Sequence, residues 1–352
     1  MSTVPTLPGI TSTMTKTKRI NTHVLLSGPD GGIPIVFVHG NFSAATYWEE
    51  AMLVMPKDYR CIAPDLRGYG DTDDLPIDGA RGARDWSDDL KALSDELGDR
   101  PGHLVGWSMG ASAIMQFVLD HPQLVASLTF VDPVSPYGFG GTKDIAGTPC
   151  HTDFAGSGGG VVNAEFVKRI KAGDRGADDA NSPRNVINHF YYYKPSFKGT
   201  REEEFLTAAL LEKMGDGRYP GDFTRSTDWP NVAPGRWGPI NAVSPKYFNT
   251  SGIVDMAKKP PILWVRGADD PIVSNHSFFD FGTLGKVGCV PGWPGREVYP
   301  PQPMVSQMRN VLEKYMAKGG RYREVVIADA AHSPHIEKPD EFMAAFLAFL
   351  KE

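Results

Sequence analysis

Gly-Trp-Ser-Met-Gly stands at residues 106–110, directly after the run Gly-His-Leu-Val at residues 102–105. The run predicts a buried strand, and the apolar spacing that follows predicts a helix that ends at Pro122. A glycine on each side of the serine allows the strand and the helix to approach closely at a tight turn. The pattern also occurs at ordinary turns. Its position at the end of a strand predicts that Ser108 projects from the sheet as a nucleophile.

Similar strands and helices alternate on both sides of this turn. Further apolar runs that are typical of buried strands occupy residues 33–38, 60–64, 127–131, 261–265 and 323–327. Amphipathic segments separate them, and the last one carries Phe342, Phe346 and Phe349 at helical spacing. This alternation predicts an α/β fold with a mostly parallel central sheet and helices on both of its faces.

The alternation is interrupted once by a long segment that is rich in Gly, Pro, Tyr and Trp. Only residues 164–171 and 202–214 in it have a weak helical pattern. An unstructured loop of that length is unusual in a compact domain, so we expect an inserted helical lid. The predicted domains are a first core part (residues 1–133), the lid (134–259) and a second core part (260–352). The second core part contains a long loop at residues 282–302.

The composition excludes several classes of partner. The net charge is −6 and the basic residues are dispersed, so there is no basic stripe for a nucleic-acid backbone. No apolar run approaches the roughly 18 residues of a membrane helix. Residues 1–22 are rich in Thr and lack the layout of a secretory signal, which predicts a flexible lead-in. We therefore expect a small-molecule substrate as the partner, and neither nucleic acid nor a membrane; homo-oligomer formation stays open.

The three cysteines, Cys61, Cys150 and Cys289, are far apart and lack metal-ligand spacing. They are interpreted as buried or incidental thiols in a reducing compartment, which predicts a cytoplasmic protein.

A serine nucleophile needs a base and an orienting acid, because its hydroxyl is a weak nucleophile on its own. His332 follows the last predicted strand and precedes the last predicted helix, which makes it the candidate base. Any one of the nine histidines is by default a surface residue, and His335 is the second candidate. The base comes last in the order serine, acid, histidine that this architecture favours.

The candidate acid is Asp270, which follows the predicted strand at residues 261–265. It would accept the Nδ1–H group of the base and stabilise the imidazolium. Asp269 is adjacent and cannot be separated from it by spacing. Asp132, at the end of the strand at residues 127–131, is an alternative acid, although a carboxylate there also caps turns.

The developing oxyanion needs two hydrogen-bond donors. The backbone N–H of Met109 is one candidate, because it begins the helix after Ser108. The backbone N–H of Asn41, in the loop after His39 and Gly40, is the other. This chemistry requires no metal and no organic cofactor.

Together these segments resemble the α/β-hydrolase family, in the branch of serine hydrolases and esterases that carry a lid. The matching segments are His39-Gly40-Asn41 with Trp48, and residues 65–70, 106–110, 267–273 and 332–339. They occur in the order of the family and span most of the chain outside the lid. The resemblance implies the α/β-hydrolase fold. It also implies an acid three residues after a strand-closing glycine, which selects Asp270 over Asp269.

The His-Gly-Asn segment is also similar to haloalkane dehalogenases, in which the Asn side chain helps to hold the leaving halide. Those enzymes and the epoxide hydrolases use an aspartate nucleophile, whereas this chain has Ser108. The resemblance therefore implies neither alkyl-enzyme chemistry nor epoxide opening. Some dehalogenases place their acid at the position of Asp132, which keeps that residue as an alternative.

Aromatic residues in and near the lid predict a large apolar pocket, although about half of them are needed for the core of the lid itself. The residues proposed for the pocket are Phe42, Trp107, Tyr192 and Trp237. We therefore expect a serine hydrolase that cleaves an ester or lactone of a bulky apolar or aromatic substrate. Amide cleavage and carbon–carbon bond hydrolysis use the same triad. A non-catalytic ligand sensor on this fold is a further alternative, and the complete triad argues against it.

Overall fold

Ten strands are present in the computed structural model, which describes residues 2–98, 100–199 and 201–352. They are β1 (Thr11–Lys16), β2 (Asn21–Ser27), β3 (Ile33–Val38), β4 (Tyr59–Pro64), β5 (Gly102–Trp107), β6 (Val125–Val131), β7 (Phe223–Arg225), β8 (Val232–Pro234), β9 (Ile262–Gly267) and β10 (Tyr322–Ile327). Eight of them form one sheet in the order β1-β2-β4-β3-β5-β6-β9-β10, while β7 and β8 form a separate hairpin.

The sheet is parallel from β4 to β10, and only β1 and β2 run antiparallel to their neighbours. The six predicted strands are β3, β4, β5, β6, β9 and β10, so the prediction of a mostly parallel sheet is confirmed. Because these strands all point the same way, their carboxyl ends lie at one edge of the sheet. The loops after β3, β5, β6, β9 and β10 therefore meet there.

Eleven α-helices lie in the described ranges. They are α1 (Glu49–Leu53), α2 (Arg84–Leu97), α3 (Met109–Asp120), α4 (Ala164–Lys171), α5 (Pro183–Val186), α6 (Glu202–Leu210), α7 (Pro239–Ala242), α8 (Phe281–Lys286), α9 (Met304–Ala317), α10 (Pro334–Glu337) and α11 (Pro339–Leu350). No helix in this part of the chain combines the length and apolar character that crossing a bilayer requires.

Two apolar clusters cover the two faces of the sheet. Successive strand residues point to opposite faces, so Val105 belongs to one cluster and its neighbour Leu104 to the other. The first cluster contains the apolar side of α11 with Phe342 and Phe346. The second contains apolar residues of α2, α3 and α9, such as Ile114. Helices on both faces thus fix the sheet.

The N-terminal segment differs from the prediction. Residues 1–22 were expected to be a flexible lead-in, but β1 pairs with β2, from Thr11 opposite Leu26 to Lys16 opposite Asn21. Thr is β-branched and fits a pleated strand. An edge strand that is only half buried needs no continuous apolar run, so the apolar pattern did not reveal it.

The insertion, residues 134–259, contains α4 to α7, a π-helical turn at Ile187–Tyr191 and the β7–β8 hairpin. The two stretches with a helical pattern correspond to α4 and α6. Its helices have four to nine residues, so irregular backbone makes up much of the segment. The stretch at residues 282–302, predicted as a loop, includes most of the short helix α8.

Candidate active site

Ser108 occupies the sharp turn between β5 and α3. Its backbone has φ 54° and ψ −119°, which is a strained conformation for a residue with a side chain. Its N–H donates to the carbonyl of Val131 over 2.8 Å. A Cβ atom at Gly106 would lie 2.7 Å from the backbone of Ala111, and one at Gly110 would lie 2.4 Å from a backbone oxygen. Both glycines are therefore required for this close approach.

His332 and Asp270 form a buried pair at the same edge of the sheet. His332 Nδ1 lies 2.8 Å from Asp270 Oδ2. The other carboxylate oxygen of Asp270 accepts from the N–H groups of Ile272 (2.7 Å) and Val273 (3.1 Å). Asp269, in contrast, is exposed. The loop after β9 therefore fixes the orientation of the Asp270 carboxylate independently of its hydrogen bond to the imidazole.

The loop of His332 is held by Trp107. The indole Nε1–H of Trp107 donates to the carbonyl of His332 over 2.6 Å, and the Trp107 and His332 ring centroids lie 5.6 Å apart. His335 lies elsewhere, stacked on Trp48 with ring centroids 4.2 Å apart. Burial lowers the pKa of His335 to about 3. The second candidate for the base is thus a neutral ring in an aromatic environment.

Ser108 and His332 line the same cavity. In the described part of the chain, no direct hydrogen bond joins the Ser108 hydroxyl to the imidazole of His332. Catalytic hydrogen bonds are often long without substrate and tighten when it binds. The arrangement places Ser108 and His332 on one wall of the cavity, with Asp270 on the far side of the imidazole.

The peptide between Gly40 and Asn41 is oriented by its carbonyl group. This oxygen accepts from Ser43 Oγ (2.8 Å) and lies 2.8 Å from His39 Nδ1. His39 Nε2 accepts from the N–H of Leu66 (2.9 Å), so the ring proton is on Nδ1. Burial lowers the pKa of His39, which favours the neutral ring. Because the N–H and C=O of a trans peptide point in opposite directions, the N–H of Asn41 faces away from these partners.

Two backbone N–H groups are available near Ser108. Those of Asn41 and Met109 donate to no other group of the described residues. Gly40 packs against the nucleophile, since a Cβ there would lie 3.0 Å from Ser108 Cβ. Met109 begins α3, where N–H groups lack helical partners. These are the kind of donors that an oxyanion needs.

Asp132, the alternative acid, lies at the end of β6 beside the buried pair. Ligand atoms of Asp132, Asp270 and His332 all lie within 4.8 Å of one another. Oδ1 of Asp132 accepts from the N–H of Gly267 over 3.0 Å. Oδ2 has no hydrogen-bond partner among the residues with described positions. The direct contact with the imidazole belongs to Asp270, which occupies the orienting position.

A cavity of about 510 Å³ lies over Ser108 between the sheet edge and the insertion. None of its described lining residues is Asp, Glu, Lys or Arg. The lining consists of Asn41, Phe42, Ser108, Met109, Val134, Phe139, Val161, Val162, Asn163, Phe166, Ala180, Asn181, Val186, His189, Phe190, Tyr191, Tyr219, Ile240, Val243, Ile272, Phe278, Phe279, Leu284 and His332. Most of the wall is apolar, and most of it comes from the insertion.

Of the four residues proposed for the pocket, the structure places only Phe42 in the lining. Trp107 lies behind the site, with its indole bound to the His332 loop. Tyr192 packs against Phe197, with ring centroids 5.1 Å apart. Trp237 is 37% exposed and contacts a guanidinium group at the surface. Aromatic side chains satisfy cores and surfaces as readily as pockets, so composition did not distinguish these positions.

Tyr191 and Tyr219 line the cavity but were not proposed for the pocket. The hydroxyl of Tyr191 donates to the carbonyl of Asn41 over 2.8 Å and so connects the insertion to the loop after β3. Both residues belong to the set of aromatic residues in the insertion. The sequence contained no signal that separates Tyr191 from the adjacent Tyr192.

Two groups of described residues bring imidazole and carboxylate ligand atoms together. One is His23, Asp65 and Asp71, and the other is Asp132, Asp270 and His332. In each group the histidine Nδ1 already contacts a carboxylate, at 2.7 Å and 2.8 Å respectively. Hydrogen bonds between the side chains explain why these ligand atoms lie close together in both groups.

Comparison with known proteins agrees with this fold. Residues 35–345 match the model of the alpha/beta hydrolase family. An uncharacterized carboxylesterase, nap, of Bacillus subtilis is 28% identical over 191 residues, 49% of this chain and 60% of that protein. A 2-hydroxy-6-oxononadienedioate/2-hydroxy-6-oxononatrienedioate hydrolase of Burkholderia vietnamiensis is 25% identical over 247 residues, 69% of this chain and 73% of that protein.

Solved structures agree as well. The naproxen esterase of Bacillus subtilis has a TM-score of 0.57 at 17% identity, covering 99% of this chain and 93% of its own. The first of the sequence relatives is matched over 60% of its length, which is less than two thirds. The likeness to the solved structure shows the fold. The match to the family model spans most of the sequence, and the chain belongs to the alpha/beta hydrolase family.

Proposed function

We propose that this protein is a serine hydrolase that cleaves a neutral ester or lactone of a bulky apolar or aromatic substrate. The observation that carries the proposal is the arrangement around one cavity. Ser108, the His332–Asp270 pair and two unpaired backbone N–H groups meet there. Similarity to a carboxylesterase and a naproxen esterase supports an ester as the substrate.

The proposed reaction has two halves. The Ser108 hydroxyl attacks the carbonyl carbon while His332 Nε2 takes the proton, and Asp270 stabilises the imidazolium through Nδ1–H. The negative charge on the carbonyl oxygen is stabilised by the N–H groups of Asn41 and Met109. His332 then protonates the leaving alcohol, and an acyl group remains on Ser108. Water, deprotonated by His332, attacks this acyl-enzyme and releases the acid.

The cavity supports a neutral and bulky substrate. Its volume of about 510 Å³ lies within the range for drug-sized ligands, roughly 300–1,000 Å³. Aromatic and aliphatic side chains such as Phe166, Phe190 and Ile240 make up much of the wall. A charged group would lose its hydration there without an opposite charge to replace it, since the described lining contains no acidic or basic side chain apart from histidine.

Hydrolysis of a carbon–carbon bond is less well supported. The Burkholderia relative is named for dienedioate and trienedioate substrates, which carry carboxylate groups. Such a substrate requires cationic or multiple donor groups, and no Lys or Arg is among the described lining residues. Probe labelling and turnover assays distinguish ester cleavage from amide cleavage and from ligand sensing without turnover.

The test uses a fluorophosphonate probe, which labels activated serines, together with turnover of a large aromatic ester. We expect stoichiometric labelling of the wild type at Ser108. Ser108→Ala should abolish labelling and lower kcat by about 10³-fold or more, the scale for loss of a triad member. Ser112→Ala is a matched control, because Ser112 lies one turn further along α3, is also buried and has no hydrogen-bond partner among the described residues.

Ser112→Ala should label and turn over like the wild type. Near-normal turnover by Ser108→Ala would contradict the proposal. Prompt labelling without turnover of esters, lactones or amides would favour a ligand sensor. Higher kcat/KM for an acetate ester of a small alcohol than for large aromatic esters would contradict the assigned substrate class.

A further inference from the structure

Two carboxyl groups, not one, lie beside the imidazole of His332. Asp270 makes the direct hydrogen bond to Nδ1, and ligand atoms of Asp132 lie within 4.8 Å of both groups. All three side chains are at least nine-tenths buried. A triad needs only one acid, so the second carboxyl group requires an explanation of its own.

The hydrogen bonds assign different states to the two acids. Asp270 is surrounded by donors, with two backbone N–H groups on one oxygen and the imidazole on the other. Such donors favour the ionised carboxylate. Asp132 has one donor, the N–H of Gly267 on Oδ1, while its Oδ2 is buried without a donor from the described residues. An ionised Asp132 would leave this oxygen unsatisfied next to a second negative charge.

The charges around Asp132 do not offset that cost. Arg266 is the nearby cation, but its Nε already donates to Glu324 over 2.8 Å. Burial and the neighbouring charge of Asp270 raise the pKa of Asp132 well above its usual range. Two carboxyl groups in one buried site commonly share a single proton for this reason.

We propose that Asp132 is a protonated positioning residue, whose carboxyl group donates a hydrogen bond to the Asp270 carboxylate and replaces it as the orienting acid when Asp270 is removed. The Oδ1 atom, held by Gly267 at the end of β9, fixes the plane of the carboxyl group. The Oδ2–H group can then donate to the Asp270 carboxylate, which lies close enough to Asp132 for a side-chain hydrogen bond. This inference rests on the proposed triad and adds a group that positions its acid.

The first test replaces the carboxyl group by an amide of the same shape. In Asp132→Asn, the amide oxygen can accept from Gly267 and the NH₂ group can donate to Asp270. We expect kcat/KM within about threefold of the wild type and an unchanged acidic limb of the pH–kcat/KM profile. Asp132→Ala removes the donor and should lower kcat at least tenfold with little change in KM. Rescue by Asn and loss in Ala together indicate a neutral donor.

The opposite result would overturn the proposal. If Asp132 is ionised, Asp132→Asn removes a negative charge that stabilises the imidazolium form of His332. The acidic limb would then move to lower pH. The other titratable groups nearby are Glu337, whose Oε2 accepts from the N–H of Ala331 (2.7 Å), and the neutral His335. Both are unchanged in these variants.

The second test asks whether Asp132 can take over from Asp270 as the orienting acid. In Asp270→Asn the neighbouring charge is absent, so Asp132 can ionise and accept the Nδ1–H of His332. The single variant should therefore retain more activity than the double variant Asp132→Asn/Asp270→Asn, by at least about tenfold. Equal activities of the single and double variants would refute the replacement role. This comparison uses a double-mutant cycle, which is the suitable measure for coupled groups.

A third measurement does not depend on turnover. Infrared spectra at pH 8 should contain a band of a protonated carboxyl group that disappears in Asp132→Asn and persists in Glu212→Gln. Glu212 is the control because it is another buried carboxyl group whose pKa is strongly raised by burial. Absence of an Asp132 band would contradict the protonated state even if the protein hydrolyses no ester. Melting temperatures show whether each variant folds.

Failure of this inference and failure of the proposed function give different results. An incorrect function leaves Ser108 unlabelled by the fluorophosphonate probe, or labelled without turnover of any ester, lactone or amide. An incorrect role of Asp132 leaves labelling and ester turnover intact in the wild type, while the infrared band is missing.

Discussion

The cavity has two walls that are built in different ways: the edge of the sheet and the insertion. At the sheet edge, Ser108 and Asp270 each lie in a short loop after a strand, and backbone hydrogen bonds hold those loops. In the insertion, short helices and irregular segments provide side chains such as Tyr191 and Ile240. The sheet edge carries the proposed chemistry, and the insertion determines what can reach it.

The difference has a physical basis. Register in a parallel sheet positions strand ends to within a fraction of an ångström, and the turns after them have few allowed conformations. A wall of packed side chains depends on contacts between residues distant in sequence. Changes at the sheet edge should therefore affect kcat, while changes in the insertion should affect the range of substrates.

The largest effect is expected at the base. His332→Gln removes the proton acceptor for Ser108 and should lower kcat by about 10³-fold or more. His335→Phe is the matched control, because His335 is buried among aromatic rings and its ring nitrogens have no hydrogen-bond partners in the described part of the chain. Its kcat should stay within about threefold, with no lower melting temperature. A severe loss in His335→Phe with an active His332→Gln would reverse the assignment of the base.

A large side chain in the insertion should change specificity without changing the chemistry. Ile240→Trp places additional volume in the cavity wall, and overpacking typically costs 1–3 kcal/mol. We expect kcat/KM for a large aromatic ester to fall by about 10- to 100-fold. Turnover of an acetate ester of a small alcohol should stay within about threefold. An equal loss for both esters would mean that the insertion also positions the catalytic groups.

A smaller effect is expected from the indole that supports the histidine loop. Trp107→Phe keeps the ring but removes the hydrogen bond to the His332 carbonyl, which is worth about 1 kcal/mol. This corresponds to a fall in kcat of up to about tenfold. Trp237→Ala is the control, since that indole lies at the surface and outside the cavity lining. If Trp237→Ala impaired large esters selectively, Trp237 would belong to the binding site after all.

Trp107 and Trp237 were both predicted to line the pocket, and neither does, so the sequence predicts some parts of the site better than others. The order of Ser108, Asp270 and His332 and the six parallel strands follow from local patterns, because strand ends and glycine turns have strict local requirements. The adjacent residues Tyr191 and Tyr192 have no such distinction. Tyr191 reaches the loop after β3, and Tyr192 packs against Phe197 in the insertion.

The difference between Tyr191 and Tyr192 arises from the π-helical turn that ends at Tyr191 and from packing with residues far along the chain. Neither is visible in composition or periodicity. The same holds for the edge strand β1, whose residues are exposed or only partly buried, so that it needs no apolar face.

The smallest effect on turnover is expected at the segment that carries α8 and completes the cavity wall at Leu284, where the expected change is in pH-dependent stability. Asp280 holds this segment with its carboxylate, which accepts from the N–H groups of Thr283 (3.2 Å) and Gln302 (3.0 Å). Burial raises the pKa of Asp280 to about 6, against about 3.9 for an unfolded chain. The folded state therefore binds more protons between these values, and its stability should fall as pH rises from about 4 to about 7.

The expected contribution is about 2–3 kcal/mol at most, since one pKa unit corresponds to about 1.4 kcal/mol. Asp280→Asn has no titrating group there, so the difference in melting temperature between variant and wild type should change between pH 4.5 and pH 8 in favour of the variant at the higher pH. Asp269→Asn, at an exposed carboxylate, should show no such change. A pH-independent difference for Asp280→Asn would mean that this carboxyl group is ionised throughout and that the α8 segment is held as firmly as the sheet edge.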